Sequence, residues 1–130
     1  MIVRTTAEIT GTDRDVSDGA WRSKRIILAG DGVGFSFHET TIAANSVNEF
    51  RYEHHLEAVW IVEGTGMLPN LETGEQHQLG PGTMYLLDGH ERHRVTCDEQ
   101  LRMLCVFNPP VTGQEVHDET GAYPAPQSVA

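Results

Sequence analysis

Hydrophobic and polar positions alternate along this chain in short runs, broken every few residues by glycine or proline. No stretch carries the three-and-four-residue spacing of a long amphipathic helix, and no heptad or internal repeat is visible. Period-two alternation puts successive side chains on opposite faces of a strand, so runs of this kind predict strands. They fall at residues 25–28, 35–42, 48–52, 58–63, 65–69, 76–79, 84–87, 93–96 and 101–107. The breaks include Gly30-Asp31-Gly32, Gly64-Thr65-Gly66, Glu72-Thr73-Gly74, Gly80-Pro81-Gly82 and Asp88-Gly89, where glycine admits positive φ and proline fixes it. Residues 6–9 predict a brief helical turn. Many short strands with frequent turns predict an all-β sandwich or barrel.

The alternation also sorts side chains by face. His55, Glu57, Val59 and Ile61 share one face, opposite His54, Leu56, Ala58, Trp60 and Val62. Tyr85 pairs with Leu87, and His93 with Val95. Met103, Cys105 and Phe107 oppose Arg102, Leu104 and Val106. A carboxylate inside a barrel is costly unless it is paired or metal-bound. The face that carries Glu57 is therefore the natural place for a site.

Length suits one domain with one modest core: 130 residues. The expected boundaries are 1–123 for that domain, with 113–123 able to cover the barrel mouth, and 124–130 as a frayed tail. Charge narrows the partners. The formal net charge is −10, with 19 acidic against 9 basic residues, which argues against nucleic acid or an anionic membrane as a partner. The first residues lack the apolar core of a signal peptide, and no apolar run approaches the roughly 18–20 residues that span a bilayer. Cys97 and Cys105 lack a Cys-X-X-Cys spacing and are expected reduced. The expected location is the cytoplasm.

Candidate chemistry gathers on both sides of Gly80-Pro81-Gly82. Glu57, Tyr85 and His93 offer carboxylate, phenolate and imidazole, a mixed donor set that suits iron(II) and also accepts zinc, manganese or cobalt. Three protein ligands leave positions open for substrate or water. His54, His55 and His90 compete for the same role by pattern alone.

Four segments carry a specific resemblance. They are residues 34–42 (Gly-Phe-Ser-Phe-His-Glu-Thr-Thr-Ile), His55-Leu56-Glu57-Ala58-Val59 with Glu63-Gly64-Thr65-Gly66, residues 81–90 with His93, and residues 105–113 continuing through Glu115, His117 and Tyr123-Pro124. In these the chain resembles the ectoine synthases, small members of the cupin superfamily, over residues 1 to about 124. The resemblance implies a single small cupin β-barrel of jelly-roll type, with a short N-terminal arm and a C-terminal lid. It implies ring closure of N-γ-acetyl-L-2,4-diaminobutyrate to ectoine with loss of water, a hydro-lyase reaction. It implies a metal, iron(II) first, on Glu57, Tyr85 and His93, and a head-to-tail homodimer. Family positions at the substrate fall on Trp21, Arg25, Thr40, Tyr52, His55, Cys105, Phe107, Glu115 and His117. Of these, Thr40, Tyr52, His55, Glu115 and His117 are candidates for catalysis, and Trp21, Arg25, Thr40, Cys105 and Phe107 for substrate binding. Arg25 is the candidate for the substrate carboxylate, since its planar fork matches that group. Two rivals stand beside this expectation: a non-catalytic cupin that binds a small metabolite, and an iron-dependent dioxygenase, whose usual His/His/carboxylate site a Glu/Tyr/His set does not match.

Overall fold

The computed structural model describes residues 1–50, 52, 54–89 and 92–113. Glu115, His117 and His90 lie outside the described residues, as do the segment beyond Gly113 and the tail expected at 124–130.

The chain opens with a single helical turn, α1 (Thr6–Ile9), as the sequence predicts. Thr5 and Glu8 hold it by a reciprocal capping box, each side chain accepting the other's backbone N–H. Ten strands follow: β1 (Asp15–Asp18), β2 (Trp21–Ile27), β3 (Ser36–Ile42), β4 (Val47–Phe50), β5 (Leu56–Glu63), β6 (Gly66–Pro69), β7 (Gln76–Leu79), β8 (Met84–Leu87), β9 (His93–Cys97) and β10 (Leu101–Asn108). They form two antiparallel sheets, one of six strands in the order β1-β2-β3-β10-β5-β8 and one of four in the order β4-β9-β6-β7. The two sheets face each other in the jelly-roll manner, and inner side chains of both share one core. Val59 and Ile61 of β5 join Val95 of β9 and Leu101 and Met103 of β10 in it. Each such side chain contributes about 1.5–3 kcal/mol by leaving water.

Two departures from the predicted strands have a common cause. β1 was not predicted, and β2 begins at Trp21, four residues earlier than the expected start. Asp15-Val16-Ser17-Asp18 has one apolar side chain, and an edge strand needs no more: Val16 alone is buried, and the rest reach water. In β2, Trp21, Ser23 and Arg25 face inward while Arg22 is exposed. A polar inner face hides a strand from a search for apolar alternation.

The parity assignments hold. Along β5, Glu57, Val59 and Ile61 are buried, while Leu56 and Trp60 are exposed. Along β10, Leu101, Met103, Cys105 and Phe107 are buried.

Candidate active site

The register of the large sheet lays its inner side chains in rows. One row runs Arg25 (β2), His38 (β3), Cys105 (β10), Val59 (β5), Tyr85 (β8). The row on one side is Ser23, Thr40, Met103, Ile61; the row on the other is Ser36, Phe107, Glu57, Leu87. Glu57 and Tyr85 are thus diagonal neighbours on adjacent strands, a separation long side chains bridge. His93 comes from the facing sheet, paired with Phe50 of β4. Its ring centroid stands 6.4 Å from that of Tyr85 and 5.7 Å from that of Phe50.

These side chains border an inner cavity. Of the residues expected at metal or substrate, Trp21, Thr40, Tyr52, Glu57, Tyr85, His93, Cys105 and Phe107 line it. Aromatic rings form much of the wall: Tyr52 meets Phe107 edge-on at 5.2 Å and stacks on Phe50 at 6.1 Å. His55 is buried against Phe107, edge-on at 5.8 Å, and does not itself border the cavity. His54 is exposed, which removes it from the competition for a lumenal metal.

Arg25, the residue expected at the substrate carboxylate, is fully buried and is not among the side chains that border the cavity. Its Nη1 donates to the carbonyl of Gly113, and its Nε donates to Ser23 Oγ at 3.4 Å. Ser23 in turn lines the cavity. Sequence reasoning missed Ser23 and the buried His38 behind it. The signal that finds them is parity, since Ser23 shares the inner face of Trp21 and Arg25.

Electrostatics test whether a metal fits. Burial drives the Glu57 carboxyl up to about 8, against which a hydrogen bond from Cys105 pulls only partly down. Burial, then the Glu57 charge, raises the Tyr85 phenol well above its ordinary value, and the Cys105 thiol moves the same way for the same causes. Among the described residues no cationic side chain forms an ion pair with Glu57. Among the described residues, a buried carboxyl and a partly buried phenol therefore stand beside an imidazole with no ion-paired cation, a donor set that a divalent cation satisfies. Among the described residues no cluster of three His, Cys, Asp or Glu side chains could hold a metal.

An antiparallel two-sheet barrel with its polar groups turned into the lumen defines a cupin. A solved Cupin_2 domain of an XRE family transcriptional regulator from Enterobacter cloacae has this fold, at a TM-score of 0.59 and 16% identity over 70% of this chain and 98% of that one. The family is more specific. The family model described as ectoine synthase matches residues 1–127. An L-ectoine synthase of Mycobacterium sp. (strain KMS) is 79% identical over 126 residues, 97% of this chain and 98% of that protein. The crystal structure of ectoine synthase from P. lautus superposes at a TM-score of 0.87, with 45% identity over 98% of this chain and 94% of that chain. The chain belongs to the ectoine synthase family.

Proposed function

We propose that this protein is an ectoine synthase that closes N-γ-acetyl-L-2,4-diaminobutyrate to the cyclic amidine ectoine with loss of water. Family membership carries the activity, and Glu57, Tyr85 and His93 around one lumen support a metal-dependent form of it. The substrate's 2-amine attacks its own acetamide carbon, and the acetamide oxygen leaves as water. An amide is a poor electrophile and its oxygen a poor leaving group. A divalent cation held by Glu57, Tyr85 and His93, iron(II) or else zinc, manganese or cobalt, would supply Lewis-acid polarisation of that oxygen.

The chain's own side chains do the rest. The lumen is narrow and aromatic, so Trp21, Tyr52 and Phe107 fold the flexible substrate toward its ring-closed shape. The attacking amine must be neutral and the departing oxygen needs protons. Tyr52 in the wall and His55 behind Phe107 are the described groups for these transfers, with Glu115 and His117 the candidates from the C-terminal segment. General acid and base groups contribute on the order of 10²–10⁴-fold. Thr40 and Cys105 meet across the lumen wall, the thiol 3.6 Å from the Thr40 hydroxyl. The chemistry needs no covalent intermediate, so Cys105 serves as lining. The charge for the substrate carboxylate comes from Arg25.

The working form is a head-to-tail homodimer in the cytoplasm. Leu56, Trp60, Met84 and Leu86 are all exposed on the outer face of β5 and β8, and β8 ends its sheet. An apolar face at a sheet edge suits a second copy. Cys97 and Cys105 are both unbridged. Among the described residues no helix is long and apolar enough to cross a membrane.

Anaerobic incubation of metal-loaded protein with N-γ-acetyl-L-2,4-diaminobutyrate separates the readings. Ectoine formed without oxygen supports the synthase and excludes the dioxygenase. Binding with no turnover under any metal favours a metabolite-binding cupin.

A further inference from the structure

We propose that a slot between the unpaired edges of the two sheets is the route by which a divalent cation reaches and leaves Glu57, Tyr85 and His93, with His77 as the imidazole that meets it at the entrance. The identity of the traveller rests on the metal reading above. The route rests on which strands fail to pair and on which side chains stand in the gap.

β8 ends the six-stranded sheet and β7 ends the four-stranded one. Among the described residues no ladder joins β8 to β6 or β7. A seam between two such edges leaves space that paired strands would fill. Leu68, Asn70 and His77 reach this slot from the side of β6 and β7, and Leu86 and Leu87 reach it from β8. Tyr85 and His93 border the slot as well as the inner cavity. Two of the three expected ligands are thus approached from both sides.

Register places His77. It pairs with Leu68 across the β6–β7 ladder, so the two side chains share a face. Leu68 is buried in the core, which makes that face the inner one. His77 lies on the same face yet is exposed, as a side chain at the outer end of a slot must be. Asn70, just past β6, bridges to His93. From β7 across β6 to β9 is two strand spacings, so roughly 10 Å separates His77 from His93 in the hydrogen-bonding direction.

The entrance is held in shape by its own turn. Asn70 Oδ1 accepts from the N–H groups of Glu72 at 2.9 Å and Thr73 at 3.3 Å, and the Asn70 N–H donates to the Glu75 carbonyl at 2.8 Å. This turn sets Glu75 beside His77, whose Nε2 lies 3.3 Å from a carboxylate oxygen. A proton on Nε2 given to that carboxylate leaves the lone pair on Nδ1, the arrangement in which a histidine serves as a ligand.

The lining selects the traveller. An imidazole backed by a carboxylate, in a chain of net charge −10, draws cations and opposes a substrate carboxylate. Inward of His77, Leu68 and Leu87 are apolar and buried, so they offer a polar organic molecule nothing to hold. Imidazole suits iron and zinc alike. The cation passes from His77 to His93, and the substrate keeps the aromatic cavity to itself.

Stopped-flow zinc binding tests the route without turnover. A group met only on the way in lowers the barrier in both directions, so its loss changes uptake and release by one factor and leaves Kd alone. His77→Trp, which plugs the slot from an exposed position, should slow zinc uptake by metal-free protein and zinc release to a chelator alike, each by about tenfold or more, with Kd changed less than about twofold. His77→Ala should slow both in equal proportion. Gln76→Trp, on the outer face of the same strand, should change neither. Unchanged rates in His77→Trp, or equal slowing by Gln76→Trp, overturn the route and leave the metal site standing. Wild-type rates in His77→Ala, or a weakened Kd with unchanged uptake, overturn the part given to His77. A wild-type protein that takes up no zinc overturns the route together with the metal reading it rests on.

Discussion

The most consequential residues are two inward acids, Glu57 and Tyr85, whose ionisation the fold opposes. Glu57 is held up at about 8 by burial, so at neutral pH the metal-free protein carries it protonated. Tyr85 is raised further still. A cation must displace these protons, and its uptake should release them. The sign follows: each proton released raises apparent affinity up to tenfold per pH unit, so affinity should climb from pH 6 until about 8 and, for the Glu57 proton, level off above it. Titration calorimetry of iron(II) or zinc in two buffers of different ionisation enthalpy measures the proton count. Metal uptake with no proton release would contradict the assignment of Glu57 and Tyr85. At this scale the sequence made legible the faces that Glu57, Tyr85 and His93 take, and the structure brings the three to one lumen. Alternation says which face a side chain takes and nothing about depth, so it could not tell that the inward Arg25 is fully buried and away from the cavity border. Ser23 and His38 escaped because a serine and a histidine on a strand carry no spacing signal.

At the scale of elements, the loops that join the strands carry as much information as the strands. The turn between β5 and β6, Gly64-Thr65-Gly66, packs against the turn between β9 and β10. A Cβ on Gly64 would collide with the backbone of Gln100, and Gly64 holds φ at +92°, where side chains are strained. A Cβ on Gly66 would collide with the Thr96 carbonyl. Gly64→Ala should therefore cost about 2 kcal/mol or more in chemical denaturation, because both the contact and the backbone oppose it. Gly74→Ala is the comparison: φ is also positive, at +79°, but no atom lies within 4 Å, so its cost should be smaller, on the order of 1 kcal/mol. Equal costs at both positions would remove the close approach as the reason for Gly64. Glycine made these turns visible in the sequence. What it could not distinguish was a glycine needed for φ alone from one needed for space. β1 and the first half of β2 stayed hidden for the converse reason, since Val16 and Trp21 are the apolar residues in an otherwise polar stretch.

The described residues form a barrel whose largely aromatic lumen carries Glu57, Tyr85 and His93 and, on one outer flank, an apolar stripe. The stripe was written in the sequence as the even-numbered face of β5 and β8, but its meaning depended on β8 ending the sheet. Sedimentation should give twice the 14.4 kDa chain mass, and Met84→Glu with Leu86→Glu should shift the protein to monomer; a wild-type monomer would leave the stripe without its proposed partner. The central claim concerns the lumen: Glu57, Tyr85 and His93 together hold the cation on which ring closure depends. The most direct test is to measure bound metal and anaerobic ectoine formation on the same preparations of wild type and Glu57→Ala. The account predicts about one metal per chain and turnover in the wild type, and loss of both in a variant that remains folded. Full ectoine formation by Glu57→Ala without bound metal would contradict it.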